Sequence, residues 1–291
     1  LARCLDALLA LDYPADAYEI VIVDDASSEQ TVRQVGRGAE RQATGLRYVA
    51  HSRGGPAKAR NAGARAARGK YLAFTDDDCE PSPGWLRQLE APLLLRDDVV
   101  VGGLTRNALP DRICSRASQL LIDYLYQYYD SAQTGSRFFT TNNLACSSSA
   151  FLKFGGFNES FPLAAGEDRE FCERFQRLGG AAVFAPGAEV FHWHDLNLPR
   201  FARQHFNYGR GADFLHRSRW AGLTPTTGTM QGARRRPKLE PPSFYFNLVR
   251  YPLVRERGVT GWRLASLLSV SQAAYAAGYA YQRVRRAMRR S

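Results

Sequence analysis

The chain predicts an α/β fold: a Rossmann-like, mostly parallel central sheet flanked by helices, with a helical appendage towards the C-terminal end. Three observations carry this expectation. Ile20–Val23 (within EIVIVDD) and Tyr71–Phe74 (within KYLAFTDDDC) are unbroken apolar runs, the pattern of strands buried on both faces. Between them an alanine-rich helix opens at Pro56 and closes at Gly69, so strands and helices alternate as right-handed crossovers require. Both runs end in clustered aspartates, Asp24–Asp25 and Asp76–Asp78, and in open α/β sheets ligands bind beyond the carboxyl ends of strands.

The opening LARCLDALLALDYP reads as a helix with Leu1, Leu5, Leu8 and Leu9 on one face, so a strand is expected to precede it and to be missing here. After the strand at Glu19–Asp25, Ala26, Ser27, Ser28 and Glu29 supply helix-start chemistry for a helix to about Gln42. Leu46–Ala50 is a second short strand. Trp85–Leu95 is a helix, Val99–Gly103 a strand, and Ser115–Tyr129 an amphipathic helix with an aromatic face. Phe138–Phe151 alternates enough to predict a strand. GEDREFCERFQRLGG predicts a helix with Phe171, Cys172, Phe175 and Leu178 on one face, stopped by Gly179–Gly180, and Ala181–His194 a strand pair. From Pro199 the chain is helical and basic. The organisation expected is a catalytic domain over 1–219, a Pro/Gly/Arg-rich linker over 220–242 and a basic helical extension over 243–291.

With 291 residues, 45% of them hydrophobic and 23% charged, the chain has material for a large core and is not disordered in bulk. Its formal net charge of +11 is concentrated late, in Arg234–Lys238 and Arg283–Arg290, and suits an anionic partner: a nucleoside diphosphate, nucleic acid or an acidic lipid surface. No aromatic-stacking motif lies among these arginines, which argues against nucleic acid. Five scattered cysteines without a CxxC motif indicate neither a zinc site nor a disulfide framework, and a reducing cytosolic setting is the default. Trp262–Met288 is weakly apolar, interrupted by Gly278 and flanked by arginines, which fits an interfacial helix on the inner membrane face better than a membrane span. The competing reading is a helix packed on the catalytic domain.

Three adjacent carboxylates repel one another unless a cation sits among them, and an Asp-x-Asp pair beyond a strand suits a hard divalent ion that also holds a diphosphate. On residues alone, a solvated acidic turn remains the alternative, as does dipole complementation for Glu167 and Asp168 at a helix start. Four blocks in one order narrow this: IVIVDDASSEQT, AKARNAGARAARGKYLAFTDDDCEPSPGWL, GGFNESFPLAAGEDREFCERFQRLGG and VFHWH. Together they resemble the family 2 glycosyltransferases, which have the GT-A fold, closely to about His194 and loosely to about Arg219.

The resemblance implies roles residue by residue. Asp24 or Asp25 would hold the nucleotide base. Lys58, Arg60 and Asn61 would lie beside the nucleotide and diphosphate, and Asp76 and Asp78 match the DxD motif, with Asp77 between them. Asp76 would face the ribose or sugar, and Asp78 would hold Mg²⁺ or Mn²⁺, with His192 or His194 closing the metal site. Asp168 matches the catalytic base of inverting members, and Glu167 lies beside it in the donor site. The implied protein is a non-processive, metal-dependent inverting glycosyltransferase. It would take a nucleotide-diphosphate sugar, UDP-sugars first, and glycosylate a hydroxyl on a glycan or lipid-linked acceptor of the cell envelope. Its rivals are a catalytically inactive nucleotide-sugar-binding relative and a sugar-phosphate nucleotidylyltransferase. The family's opening strand and base-holding loop are not seen, and neither is the Gln-x-x-Arg-Trp motif of processive members.

Overall fold

The computed structural model describes residues 1–26, 45–130, 137–161, 163, 165–221 and 240–289. The helix expected up to Gln42 and nearly all of the expected linker lie outside the described residues.

Helix α1 (Ala2–Leu9) buries Cys4 and Leu5. Strand β1 (Glu19–Asp25) pairs in parallel with β2 (Gly45–His51), from Glu19 opposite Gly45 to Asp25 opposite His51. Helix α2 (Pro56–Ala66) packs on this pair with small side chains; a Cβ on Gly63 would come within 2.9 Å of Val23 Cγ2. Strand β3 (Tyr71–Phe74) turns through the aspartates into β4 (Cys79–Pro81), and α3 (Trp85–Leu95) and β5 (Val99–Asn107) follow. Helix α4 (Ile113–Asp130) leads to a 3₁₀ turn at Thr141–Asn143, β6 (Leu144–Ser147) and α5 (Ser148–Lys153). Helix α6 (Glu167–Arg177), β7 (Ala181–His192) and the helices α7 (Leu198–Ala221), α8 (Pro242–Arg255) and α9 (Gly258–Met288) complete the chain.

The main sheet has the order β3-β6-β5-β7-β4 and is mixed, which corrects the mostly parallel sheet expected. Only β5 and β7 run parallel in it; β3–β6, β5–β6 and β4–β7 are antiparallel. The cause is local. No helix separates β3 from β4, only the acidic turn, so β4 goes to the far edge of the sheet instead of making a crossover. The chain leaving α4 then enters between β3 and β5 from the opposite end.

Two more expectations change. Phe138–Phe151 is not one strand but a 3₁₀ turn, a four-residue strand and a helix, because side chains take over the backbone pattern. Asn143 Nδ2 donates to Leu104 O and Ala188 O, its Oδ1 accepts from Trp85 Nε1, and Ser147 Oγ caps α5 by accepting from Ala150 N. The Pro186–Gly187 step is a bulge inside one strand rather than a turn between two: the register against β5 jumps between Gly103 and Leu104. Gly103 is required there, since a Cβ would sit 2.1 Å from Ala188 O.

An aromatic cluster fixes the position of α6. Phe171 and Phe175 are fully buried, with ring centroids 4.9 Å from Phe157 and 4.3 Å from Phe154 respectively. Truncating one such ring to alanine costs about 3–5 kcal/mol, so the helix start at Glu167–Asp168 is held firmly. Leu178, expected on the same face, is exposed where the helix ends. The C-terminal helices do not stand apart: α9 crosses α7 so closely that a Cβ on Gly278 would lie 1.9 Å from Phe206 O, and one on Gly209 1.9 Å from Tyr275 O. Among the described residues no helix is long and apolar enough to cross a membrane.

Candidate active site

The turn after β3 is pinned on both sides. Trp193 N–H donates to Asp78 O at 2.8 Å, Cys79 N–H donates to Asp76 O at 3.1 Å, and Cys4 Sγ lies 3.4 Å from the same carbonyl. With the backbone held, Asp76 and Asp78 line a cavity of about 1070 Å³. Asp77 is exposed and does not line it.

Arg60, on α2, joins two distant acids inside this cavity. Its Nη1 donates to Glu167 Oε1 at 2.7 Å and its Nη2 to Asp76 Oδ1 at 3.0 Å. Glu167 is 3% exposed, so the pair sits where an unpaired charge would be costly. Burial works against the Arg60 charge, but the two carboxylates outweigh it and drive the guanidinium pKa further up. Glu167 Oε2 is buried with no partner. Glu167 is therefore an ion-pair partner that keeps one free acceptor, not merely a complement to the helix dipole.

Asp168 follows in the first turn of α6 and lines the same cavity as Asp76 and Asp78. Burial, with the Glu167 charge beside it, pushes its pKa up to about 7 against the opposing hydrogen bond from Arg169 N–H at 2.7 Å. A carboxyl poised near neutrality can take a proton from an alcohol and release it again.

A carboxylate and an imidazole meet where the acidic turn enters β4 beside the end of β7. His192 Nε2, at the end of β7, lies 3.3 Å from Asp78 Oδ2. Burial would raise the Asp78 pKa, but the His192 hydrogen bond and charge hold it below the ordinary carboxylate range. One ligand atom each from Asp78, Cys79 and His192 lie within 4.8 Å of one another. Burial and the nearby Asp76 and Asp78 charges push the Cys79 thiol up, and a sulfur donor is soft, poorly matched to Mg²⁺ or Mn²⁺. A carboxylate with an imidazole, open to further oxygen ligands, fits Mn²⁺ better than Mg²⁺, which favours oxygen ligands throughout. His194 is outside this cluster and stacks on His192 with centroids 4.7 Å apart; burial and the His192 charge lower its pKa to about 4.

The remaining expected residues do not reach the cavity. Asp24 accepts a 2.5 Å hydrogen bond from the Tyr48 hydroxyl. Asp25 accepts from Gly54 N–H at 2.7 Å and Gly55 N–H at 2.9 Å, so it ties β1 to the start of α2. Burial opposes ionisation of Asp25, but those donors hold its pKa below the usual value. Asn61 is buried and clamps the Gly155–Glu159 loop: its Nδ2 donates to Phe157 O and Glu159 Oε1, and its Oδ1 accepts from Phe157 N–H. Lys58 is half-buried on α2, away from the cavity lining. Arg60, Asp76, Asp78, Glu167, Asp168, His192 and His194 converge; Asp24, Asp25, Lys58, Asn61 and Asp77 do not.

The sequence reading gave no role to an entire wall. Gln204, His205 and Tyr208 of α7, Leu121 and Leu125 of α4, and Ala276 of α9 line the cavity. The i, i+4 spacing of Gln204 and Tyr208, whose side chains hydrogen-bond, was the one available signal.

Comparison with known proteins identifies the family and the fold. The family model described as glycosyl transferase family 2 matches residues 1–157, more than half of the chain. Chondroitin synthase of Escherichia coli is 26% identical over 208 residues, covering 60% of this chain and 30% of that protein. Pre-mycofactocin glycosyltransferase of Mycobacterium tuberculosis is 29% identical over 207 residues, covering 66% and 41%. The chain thus spans less than half the length of these curated relatives. Among solved structures, mannosyltransferase PcManGT from Pyrobaculum calidifontis, in complex with GDP-Man and Mn²⁺, superposes with a TM-score of 0.58 at 20% identity over 98% of this chain and 75% of its own. Staphylococcus aureus TarS 1-349 with UDP-GlcNAc gives 0.52 at 14% identity over 94% and 84%. The fold is the GT-A fold, and the chain belongs to glycosyl transferase family 2.

Proposed function

We propose that this chain is a metal-dependent, inverting glycosyltransferase that moves a sugar from a nucleoside-diphosphate carrier to an acceptor hydroxyl. The observation that carries this reading is the shared cavity: the Asp78–His192 pair at one point, Asp168 at another, and Arg60 between Asp76 and Glu167.

In this reading Asp168 removes the proton of the acceptor hydroxyl as the oxygen forms its bond to the anomeric carbon. The bond from that carbon to the diphosphate breaks on the opposite face, and its electron pair leaves with the nucleoside diphosphate, so the configuration inverts. Asp78 and His192 would hold Mn²⁺ or Mg²⁺, which supplies positive charge to the leaving group when bound. Arg60 keeps Asp76 and Glu167 in place at the donor. Asp24 and Asp25, at the end of β1, would serve the base end of the nucleotide, with Lys58 and Asn61 on the adjoining helix. GDP-Man in the mannosyltransferase and UDP-GlcNAc in TarS support the donor class, and within it we propose a UDP-sugar.

The exposed corner between α8 and α9 supports a peripheral contact with an anionic membrane on the cytoplasmic face. Val254, Val259 and Trp262 are exposed there among Arg250, Arg255, Arg257 and Arg263. Flotation with anionic vesicles should retain the protein at low salt and release part of it at high salt; no flotation at either would remove the membrane contact.

The activity is tested with a panel of UDP-, GDP- and dTDP-sugars plus Mn²⁺. Release of nucleoside diphosphate that disappears in Asp78→Ala is the expected result. No release from any donor would leave an inactive relative.

A further inference from the structure

The cavity reaches well beyond the acids. Its volume, about 1070 Å³, is at the top of the range for small-molecule sites, on the order of 300–1,000 Å³. Arg60, Asp76, Asp78 and His192 occupy its sheet end, and Asp168 stands at the first turn of α6. The other end is lined by α4, α7 and α9, with Phe244 of α8 and Phe138, and is mostly but not wholly apolar: Leu121, Leu125, Phe138, Ala212, Leu215 and Phe244 share it with Gln119, Asn207 and Gln272.

Two side chains of α7 each bring a buried polar atom without a hydrogen-bond partner to this part of the cavity. His205 is 1% exposed; its Nδ1 lies 3.2 Å from Ser271 Oγ on α9, and its Nε2 has no partner. Burial lowers the His205 pKa to about 4, so the ring is neutral and that nitrogen is an uncharged hydrogen-bonding atom. Gln204 Oε1 is likewise buried and unpartnered, while Gln204 Nε2 is held by the Tyr208 hydroxyl. Tyr208 in turn feels the charges of Asp168, Glu167 and Asp76, which places this part of α7 beside the candidate base. A buried polar atom without a partner carries a free-energy cost that a ligand hydroxyl or amide would relieve.

We infer that the α4/α7/α9 end of the cavity is the acceptor site, and that it takes an alcohol with an apolar body, its few polar groups met by His205 Nε2 and Gln204 Oε1 and its reacting hydroxyl turned to Asp168. The inference rests on the transferase reading for the word acceptor, but the site's preference for an apolar body rests on the walls alone. A hydrophilic glycan end would exchange part of its hydration for walls that are mostly apolar, an unfavourable trade where the polar groups do not meet. An alkyl or aryl group would gain by the same transfer.

Binding of three probes to the full chain tests this by calorimetry, without donor or metal: octyl β-D-glucopyranoside below its micelle concentration, phenyl β-D-glucopyranoside, and maltose. The alkyl or the aryl glucoside should bind at least about tenfold more tightly than maltose, and the better of the two identifies the kind of apolar body. Ala212→Trp, which fills the interior, and Ala276→Trp, at an exposed position on the rim, should each weaken that binding by at least about tenfold. The rim variant covers the case in which the interior one fails to fold. Maltose binding as tightly as both glucosides, or glucoside binding unchanged in a folded variant, would overturn the inference. Because these probes report nothing on donor turnover, the inference can fail while sugar transfer stands, and the reverse.

Discussion

Arg60 and Glu167 stand 107 positions apart in the chain and meet at 2.7 Å, in a pair whose carboxylate is 3% exposed. This contact, with the 3.0 Å bond from Arg60 to Asp76, ties α2, the turn after β3 and the start of α6 into one unit. It sets the relation between the acidic turn and Asp168, and the predictions below depend on that relation.

Removing the guanidinium should cost stability as well as activity. Arg60→Met leaves Glu167 buried without its cation, and a broken buried pair costs about 3 kcal/mol or more. Urea unfolding should show the loss, and the double variant Arg60→Met with Glu167→Gln should recover part of it without recovering turnover. A fully stable Arg60→Met single variant would show that the pair does not organise the site.

The pH dependence follows from Asp168. Only its ionised form accepts a proton, so kcat/KM should rise with pH through about 7 and level off above, and Asp168→Asn should abolish that rise along with most of the rate. The stability consequence has the opposite sign. A carboxyl whose pKa is raised on folding binds its proton more tightly in the folded state, so wild type should lose stability relative to Asp168→Asn as pH rises from about 4 to about 7. Thermal melting of both proteins across that window checks it.

Much of this was legible in the chain. Tyr71–Phe74 and Trp85–Leu95 have the bounds read from the sequence, the first because it is an apolar run between Gly69 and the aspartates, the second because its amphipathic stretch starts after Pro83–Gly84 and ends at Arg96 and two aspartates. The convergence of Asp76, Asp78 and Asp168 was legible only through the order of the four blocks, since no local spacing places a helix start next to a strand end. The mixed sheet was not legible: whether β6 enters between β3 and β5 depends on Asn143 reaching Leu104 and Ala188, a tertiary event without a local signature. Asn61 shows what no local pattern announces: besides its place in ARNAG, its amide is engaged with the Phe157 backbone.

The metal site separates its three neighbours. Mn²⁺ titration followed by electron paramagnetic resonance should show affinity reduced at least about tenfold in Asp78→Asn and in His192→Ala, since outer partners of a metal ligand alone carry about 10–100-fold. Cys79→Ser and His194→Phe should bind Mn²⁺ like wild type. Loss of binding in His194→Phe would move the site towards the stacked histidine.

The helical wall depends on two glycines. Gly278→Val would drive a side chain into the Phe206 carbonyl and separate α9 from α7, costing about 1–3 kcal/mol. Differential scanning calorimetry should record the lower melting temperature, and limited proteolysis should find α9 cut before the sheet domain.

The most direct test of the central claim is the configuration of the product. With a donor of known anomeric configuration, Mn²⁺ and an accepted alcohol, proton NMR of the new glycosidic linkage should show the inverted anomer, and Asp168→Asn should still bind donor and Mn²⁺ yet form almost no product. Retention of configuration, or transfer by Asp168→Asn at the wild-type rate, would contradict single displacement with Asp168 as the base.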